Sequence, residues 1–90
     1  MNDKLFDLRK EIDELDRELL KVISKRIKKV KEVGVIKKSA NSNIFDESRM
    51  KQVVANWKEF AKQENLSEEV IEKIYKIIHD YSLEIEKNIK

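Results

Sequence analysis

One unbroken helical pattern of apolar side chains covers the first 38 residues, and no other feature limits the possible fold so strongly. Steps of four and three residues separate the members of this seam, which are Leu8, Ile12, Leu15, Leu19 and Val22. Such steps keep side chains on one face of an α-helix. The chain has no proline and a single glycine, Gly34, so little interrupts the pattern. We therefore expect one helix from near Asp3 to about Lys38, roughly 36 residues long, which is unusual for a small globular protein.

Two shorter helices are predicted after this one. Small and polar side chains at residues 39–43 indicate a loop. Asp46 is a favourable N-cap for a second helix over about residues 47–63, and Ser67 is a favourable N-cap for a third over about residues 68–89. Each of these helices has an apolar stripe. The stripe of the second is Met50, Val53, Val54, Trp57, Phe60 and Ala61, and that of the third is Val70, Ile71, Ile74, Ile77, Ile78, Tyr81 and Ile85.

The predicted fold is all-α, a single domain over residues 1–90 with one long and two shorter helices. The long helix is about as long as the other two together, so its own chain leaves half of it uncovered. A chain of 90 residues also buries only a modest core. Both points predict an intertwined helical homodimer.

The composition excludes several classes of chemistry. Without cysteine the chain forms no disulfide, thiolate nucleophile or cysteine-based metal site. Its one histidine makes a histidine-rich metal site or a serine–histidine pair unexpected. No apolar run approaches the ~18 residues of a membrane span, and the N-terminus lacks the layout of a signal peptide. A cytoplasmic protein is expected.

Positive charge is concentrated at the end of the long helix. Residues 25–38 contain seven lysines and arginines but one acidic residue, which leaves 13 basic and 17 acidic residues elsewhere. Such a segment suits an anionic ligand, a nucleic acid or a membrane surface. The apolar seam runs through it, and nothing resembles a recognition helix or an aromatic stacking surface. We therefore favour a small anionic ligand and expect neither a nucleic acid nor a membrane as partner. The alternative is a helical module that binds anions or nucleic acid.

Two cations lie on the apolar face itself. The step of four after Val22 reaches Arg26, and Lys37 returns to the same face roughly 16 Å further along the axis. Arg9 adjoins the seam roughly 25 Å before Arg26. One small anion cannot span that gap, so a site using both arginines needs Arg9 from a second chain. Alternatively, Arg26 snorkels, Lys37 is solvated and Arg9 pairs with Asp13.

Four polar residues lie on the shorter helices near these cations. Ser82 and Glu86 share one face of the third helix, and Asp46 and Arg49 occupy the first turn of the second. Glu86 could equally lie in solvent or pair with Lys90, and Asp46 and Arg49 could form only a cap and a local ion pair. His79 is expected at the surface or boundary, and Trp57 in the core.

These residues carry a family resemblance that spans nearly the whole chain. The pattern resembles the all-helical (AroQ-type) chorismate mutases, and it consists of Leu8-Arg9, Ile12, Leu15-Asp16, Leu19-Leu20, Arg26, Val33-Gly34, Lys37, Asp46, Arg49, Ser82 and Glu86. The resemblance implies an intertwined dimer with two equivalent sites. It also implies an isomerase that rearranges chorismate to prephenate intramolecularly, without cofactor, metal or covalent intermediate.

The resemblance also implies a role for each residue. Arg26 and the partner subunit's Arg9 would bind the two substrate carboxylates, and Lys37 would contact a carboxylate and the ether oxygen. Glu86 would face that oxygen. Ser82 would contact a substrate carboxylate, and Asp46 would help to hold the ring hydroxyl. Arg49 would order the site beside Asp46. Lys37, Glu86 and Arg26 would be the catalytic residues.

Two departures from the family pattern matter. Met50 stands where these enzymes commonly carry a glutamate that binds the substrate hydroxyl, and related isochorismate-pyruvate lyases tolerate an apolar residue there. Such a lyase is therefore an alternative function. Glu86 stands where many members carry glutamine, and it must be protonated to assist a developing oxyanion.

Overall fold

The computed structural model describes residues 3–89 as three helices. They are α1 (Asp3–Ser39), α2 (Glu47–Gln63) and α3 (Glu68–Lys87). No strand occurs within these described residues, so the predicted all-α class is confirmed. Lys90, the alternative partner of Glu86, lies outside them.

Local signals in the sequence account for where the helices begin and end. The predicted N-caps are both present: Asp46 Oδ1 accepts the N–H of Arg49 at 3.0 Å, and Ser67 Oγ accepts the N–H of Val70 at 3.2 Å. Asn41 and Asn65 follow α1 and α2 with φ of 53° and 57°. Asparagine tolerates this left-handed conformation better than most residues, so it ends a helix at little cost.

The three helices form a thin layer rather than a closed bundle. Along the described chain, α3 packs against both α1 and α2, which do not pack against each other. The molecule measures 61 × 27 × 15 Å, and its buried apolar residues are Ile27, Ala61 and Tyr75. None of the helices within residues 3–89 has an apolar stretch long enough to cross a bilayer.

Much of the predicted apolar surface is uncovered in the single chain. The large apolar side chains of residues 3–22 are exposed, among them Leu8, Ile12, Leu15 and Leu19. The apolar stripe of α3 is covered only in part by its own chain, because Ile77 is 71% exposed and Tyr81 51% exposed. The helix instead turns Tyr75, Ser82 and Glu86 towards its neighbours. Apolar spacing identifies the faces of a helix but not which face its own chain covers.

Candidate active site

A cavity of about 380 Å³ lies among the three helices. Six of the seven predicted site residues line it: Arg26, Lys37, Asp46, Arg49, Ser82 and Glu86. They come from all three helices and from the cap before α2, so only the folded chain brings them together. The seventh predicted residue, Arg9, does not line this cavity.

Ser82 on α3 holds the side chain of Arg26 at the cavity wall. Its Nη1 donates to Ser82 Oγ at 2.7 Å, and the Ser82 hydroxyl donates in turn to the carbonyl of Ile78 at 2.8 Å. Ser82 is buried and Arg26 half-buried. Because a guanidinium carries five N–H donors, one contact leaves several for a ligand carboxylate. Arg26 is thus fixed at the cavity wall and does not snorkel freely to solvent.

Lys37 joins three parts of the chain. Its ammonium donates to the carbonyl of Ile44 at 2.6 Å and lies 2.9 Å from Glu86 Oε1. The Lys37 side chain is 24% exposed and that of Glu86 is 8% exposed, so the alternative of a solvated lysine is wrong. The pair meets at ion-pair distance without hydrogen-bond alignment, and Glu86 Oε1 has no hydrogen-bond partner within residues 3–89. A ligand oxygen could therefore engage both groups.

The start of α2 supplies the third side of the site. Asp46 caps the helix through the backbone of Arg49, whose side chain donates to Gln52 Oε1 at 2.9 Å. Both residues line the cavity and are otherwise exposed. Met50 also lines it, so the cavity wall is apolar at that position.

Arg9 lies on the part of α1 that α2 and α3 do not cover. It is exposed, and within residues 3–89 it has no ion pair, so the alternative pairing with Asp13 is not formed. At ~1.5 Å per residue it lies roughly 25 Å from Arg26 along the same straight helix. Arg9 cannot reach the cavity of its own chain.

The sequence pattern did not single out Tyr75 as a site residue and placed His79 only at a boundary. Both line the cavity, as does Trp57. Tyr75 is buried, stacks on His79 with ring centroids 5.4 Å apart and meets Trp57 edge-on at 5.1 Å. The available signal was their spacing, because Tyr75, His79, Ser82 and Glu86 follow one another in steps of four, three and four. They form one face of α3.

Gly34 allows α1 and α3 to approach closely beside Glu86. A Cβ placed on Gly34 would lie 3.3 Å from the Cα of Glu86 and 3.0 Å from Cγ1 of Ile89. A glycine inside a helix favours close approach of another backbone or of a ligand, and here the backbone of α3 makes that approach. The glycine therefore sets the distance between Lys37 on α1 and Glu86 on α3.

Gly34→Ala is expected to lower turnover several-fold. The added methyl forces α3 outward by a few tenths of an ångström, and overpacking of this kind costs about 1–3 kcal/mol. The helix propensity of alanine offsets roughly 1 kcal/mol of this. Turnover and the melting temperature should be measured beside Lys31→Ala, an exposed substitution in the same helix. Unchanged turnover in Gly34→Ala would contradict the positioning role.

The geometry suits a small, compact dianion. Four cationic side chains line the cavity, Arg26, Lys29, Lys37 and Arg49, against two acidic ones, Asp46 and Glu86. Arg26 and Lys37 lie on opposite sides of Val33 in sequence, so they can address different ends of one ligand. No residue in this set is arranged as a nucleophile with its base. The site can bind, orient and stabilise charge.

Comparison with known proteins agrees with this geometry. Residues 8–87 match the family model described as chorismate mutase type II. The chain belongs to the chorismate mutase type II family. Membership confirms the predicted resemblance and the predicted activity class, an isomerase of the chorismate mutase type.

Two curated relatives of this family are similar over most of the chain. A protein named chorismate mutase from Methanocaldococcus jannaschii is 32% identical over 87 residues, covering 97% of this chain and 88% of the relative. A protein named bifunctional chorismate mutase/prephenate dehydratase from Aquifex aeolicus is 33% identical over 91 residues, covering 98% of this chain. The match occupies 25% of that longer protein.

Proposed function

We propose that this protein converts chorismate to prephenate in the cavity between its three helices. The observation that carries the proposal is the convergence of Arg26, Lys37, Ser82 and Glu86 on one cavity wall. Arg26, with Ser82 beside it, binds one substrate carboxylate. Lys37 contacts a carboxylate and the ether oxygen, and Glu86 faces that same oxygen. Asp46 holds the ring hydroxyl, with Arg49 ordering the start of α2.

Electrostatic stabilisation and positioning supply the catalysis. In the rearrangement the ether C–O bond breaks while a C–C bond forms within the same molecule, and negative charge grows on the ether oxygen. Lys37 and a protonated Glu86 stabilise that charge more in the transition state than in the ground state. Holding both carboxylates selects the compact reactive shape of a flexible substrate. No nucleophile, cofactor or metal takes part in this scheme, and a cytoplasmic location stays a prediction.

A second copy of the chain completes each site in this proposal. The exposed apolar face of α1 needs a partner, and a second α1 running antiparallel offers the same apolar face. The midpoint of α1 is Lys21, so full antiparallel overlap places the partner subunit's Arg9 beside Val33. Val33 lines the cavity between Arg26 and Lys37. The partner subunit's Arg9 then binds the second substrate carboxylate.

Glu86 makes turnover sensitive to pH in one direction. Only the protonated form donates to the ether oxygen, so turnover is expected to fall as the pH rises and Glu86 loses its proton.

Glu86→Gln is expected to flatten this fall, because the amide donates at every pH. The test is the pH dependence of kcat for both proteins, with Glu84→Gln on the exposed side of α3 as the matched control. A profile in Glu86→Gln with the same slope as the unchanged protein would rule out the role of the Glu86 proton.

Met50 motivates the second candidate, an isochorismate-pyruvate lyase, because it presents an apolar surface to the cavity. The two activities differ in product. Incubation with chorismate should yield prephenate, whereas incubation with isochorismate should release little salicylate and pyruvate. Efficient release of pyruvate from isochorismate, with chorismate left unconsumed, would favour the lyase and overturn the proposal.

A further inference from the structure

His79 is a polar group in the cavity wall to which the scheme above gives no role. Its Nδ1 lies 3.3 Å from the hydroxyl of Tyr75, and its ring stacks on that of Tyr75. Phe45 packs edge-on against the imidazole with centroids 6.0 Å apart. Two aromatic rings and one hydrogen bond therefore hold His79 in a single orientation.

We assign the tautomer of His79 from its contact with the Tyr75 hydroxyl. Burial raises the pKa of the Tyr75 phenol, although the charges of Arg26 and Arg49 act to lower it. The phenol stays protonated at neutral pH and can donate to Nδ1. A neutral imidazole that accepts at Nδ1 carries its proton at Nε2. His79 then presents an N–H donor from Nε2.

That donor lacks a partner in the free protein. Nε2 of His79 is buried and makes no hydrogen bond to any group within residues 3–89. Buried N–H groups are nearly always paired, because leaving one unpaired is unfavourable. A ligand oxygen in the cavity would pair it.

We propose that His79 is a substrate-binding residue that donates a hydrogen bond from Nε2 to the ring hydroxyl of chorismate. This inference rests on the proposed function. Tyr75 acts through His79 as a positioning residue.

The ring hydroxyl is the substrate group left for His79, because the other polar groups already have partners. The carboxylates are matched by Arg26 and the partner subunit's Arg9, and the ether oxygen by Lys37 and Glu86. His79 precedes Glu86 by two turns of α3, roughly 10 Å along the axis, and lies away from the ether oxygen. A hydroxyl can donate to the Asp46 carboxylate while its oxygen accepts from His79. The two residues thus offer complementary partners to one group.

Met50 makes this donor more important. Met50 and His79 line the same cavity, and both also line an adjoining groove between α2 and α3, so they lie at the same end of the site. The methionine provides no strong hydrogen-bonding group at that end. Selection for a hydroxylated ring therefore depends on His79 and Asp46.

The test compares chorismate with an analogue in which hydrogen replaces the ring hydroxyl. The unchanged protein should prefer chorismate by about tenfold or more in kcat/KM, the effect expected for one buried hydrogen bond. His79→Leu should lose about tenfold on chorismate and little on the analogue. His79→Gln, whose amide can still donate, should recover part of the preference. Tyr75→Phe should lower the preference for chorismate, as His79→Leu does. Tyr81 is an exposed tyrosine on the same helix, so Tyr81→Phe should leave that preference unchanged.

The possible failures are distinguishable. Equal losses on both substrates in His79→Leu would mean a structural role and would overturn this inference, as would an unchanged preference. His79→Gln and Tyr75→Phe nearly conserve side-chain volume, so they report on the hydroxyl even if the leucine variant misfolds. No turnover of chorismate by the unchanged protein would overturn the proposed function, and this inference with it.

Discussion

Arg26→Ala is expected to remove nearly all rearrangement of chorismate while the helices remain folded. The substitution removes the guanidinium that we propose binds a substrate carboxylate, inside a half-buried cavity where charge interactions are stronger than in water. Loss of one such group commonly costs about 10²–10³ in rate. The fold should survive because Arg26 contributes one hydrogen bond to Ser82, which keeps its bond to Ile78. The readouts are kcat/KM and far-ultraviolet circular dichroism.

Two further variants separate a specific contact from general charge. Arg26→Lys keeps the charge but loses the bidentate fork, so it should recover only part of the activity. Lys28→Ala removes an exposed cation two residues away and should leave kcat/KM within about twofold, as a distant surface charge acts weakly. Comparable losses in Arg26→Ala and Lys28→Ala would instead indicate a basic surface that attracts anions without a defined site.

Arg9→Ala is expected to reduce turnover nearly as strongly, although Arg9 lies far from the cavity of its own chain. The proposed dimer brings it beside Val33 of the partner, where it pairs with the second substrate carboxylate. The expected loss is about a hundredfold or more, as for other charged groups that contact the substrate. Lys10→Ala, the adjacent exposed cation, is the matched control. The dimer itself should persist, which sedimentation velocity would measure.

The opposite result would be equally informative. Full activity in Arg9→Ala would mean that each chain completes its own site and that the exposed seam of α1 serves another purpose. A monomeric Arg9→Ala variant would mean that the arginine supports association rather than substrate binding.

Local physical chemistry made the helices predictable. Asp46 and Ser67 accept hydrogen bonds from backbone N–H groups in the first turns of α2 and α3, as predicted. The predicted ends of all three helices lie within two residues of the observed ends. Capping depends on side chains a few residues apart, so a single sequence contains the necessary information. The long α1 follows in the same way from its uninterrupted seam.

Packing between helices was less predictable. The apolar stripe of α3 includes Ile77 and Tyr81, yet the single chain exposes them and turns Tyr75 inward. A helix in an intertwined assembly has one face for its own chain and another for a partner, and both are apolar. Hydrophobic spacing alone cannot assign the two.

Some residues of the site could be predicted from the sequence and others could not. Arg26 and Lys37 were identifiable because a cation on an apolar seam needs an explanation. His79 was not, because its distinguishing features are its contact with Tyr75 and a buried Nε2 that has no hydrogen-bond partner within residues 3–89. These properties exist only in the folded chain. The roles of all the predicted residues in catalysis remain predictions until variants are measured.

Mixing Arg9→Ala with Arg26→Ala tests most directly whether two copies share each site. Each variant alone lacks one arginine in both of its sites. A mixed dimer has one site with both arginines and one with neither, so random exchange of subunits at equal amounts should restore about a quarter of the prephenate-forming activity of the unchanged protein. Exchange should be verified with a tagged copy of one variant. Recovery to about this level would support a chorismate-rearranging site completed by the partner, whereas mixed dimers without activity would contradict it.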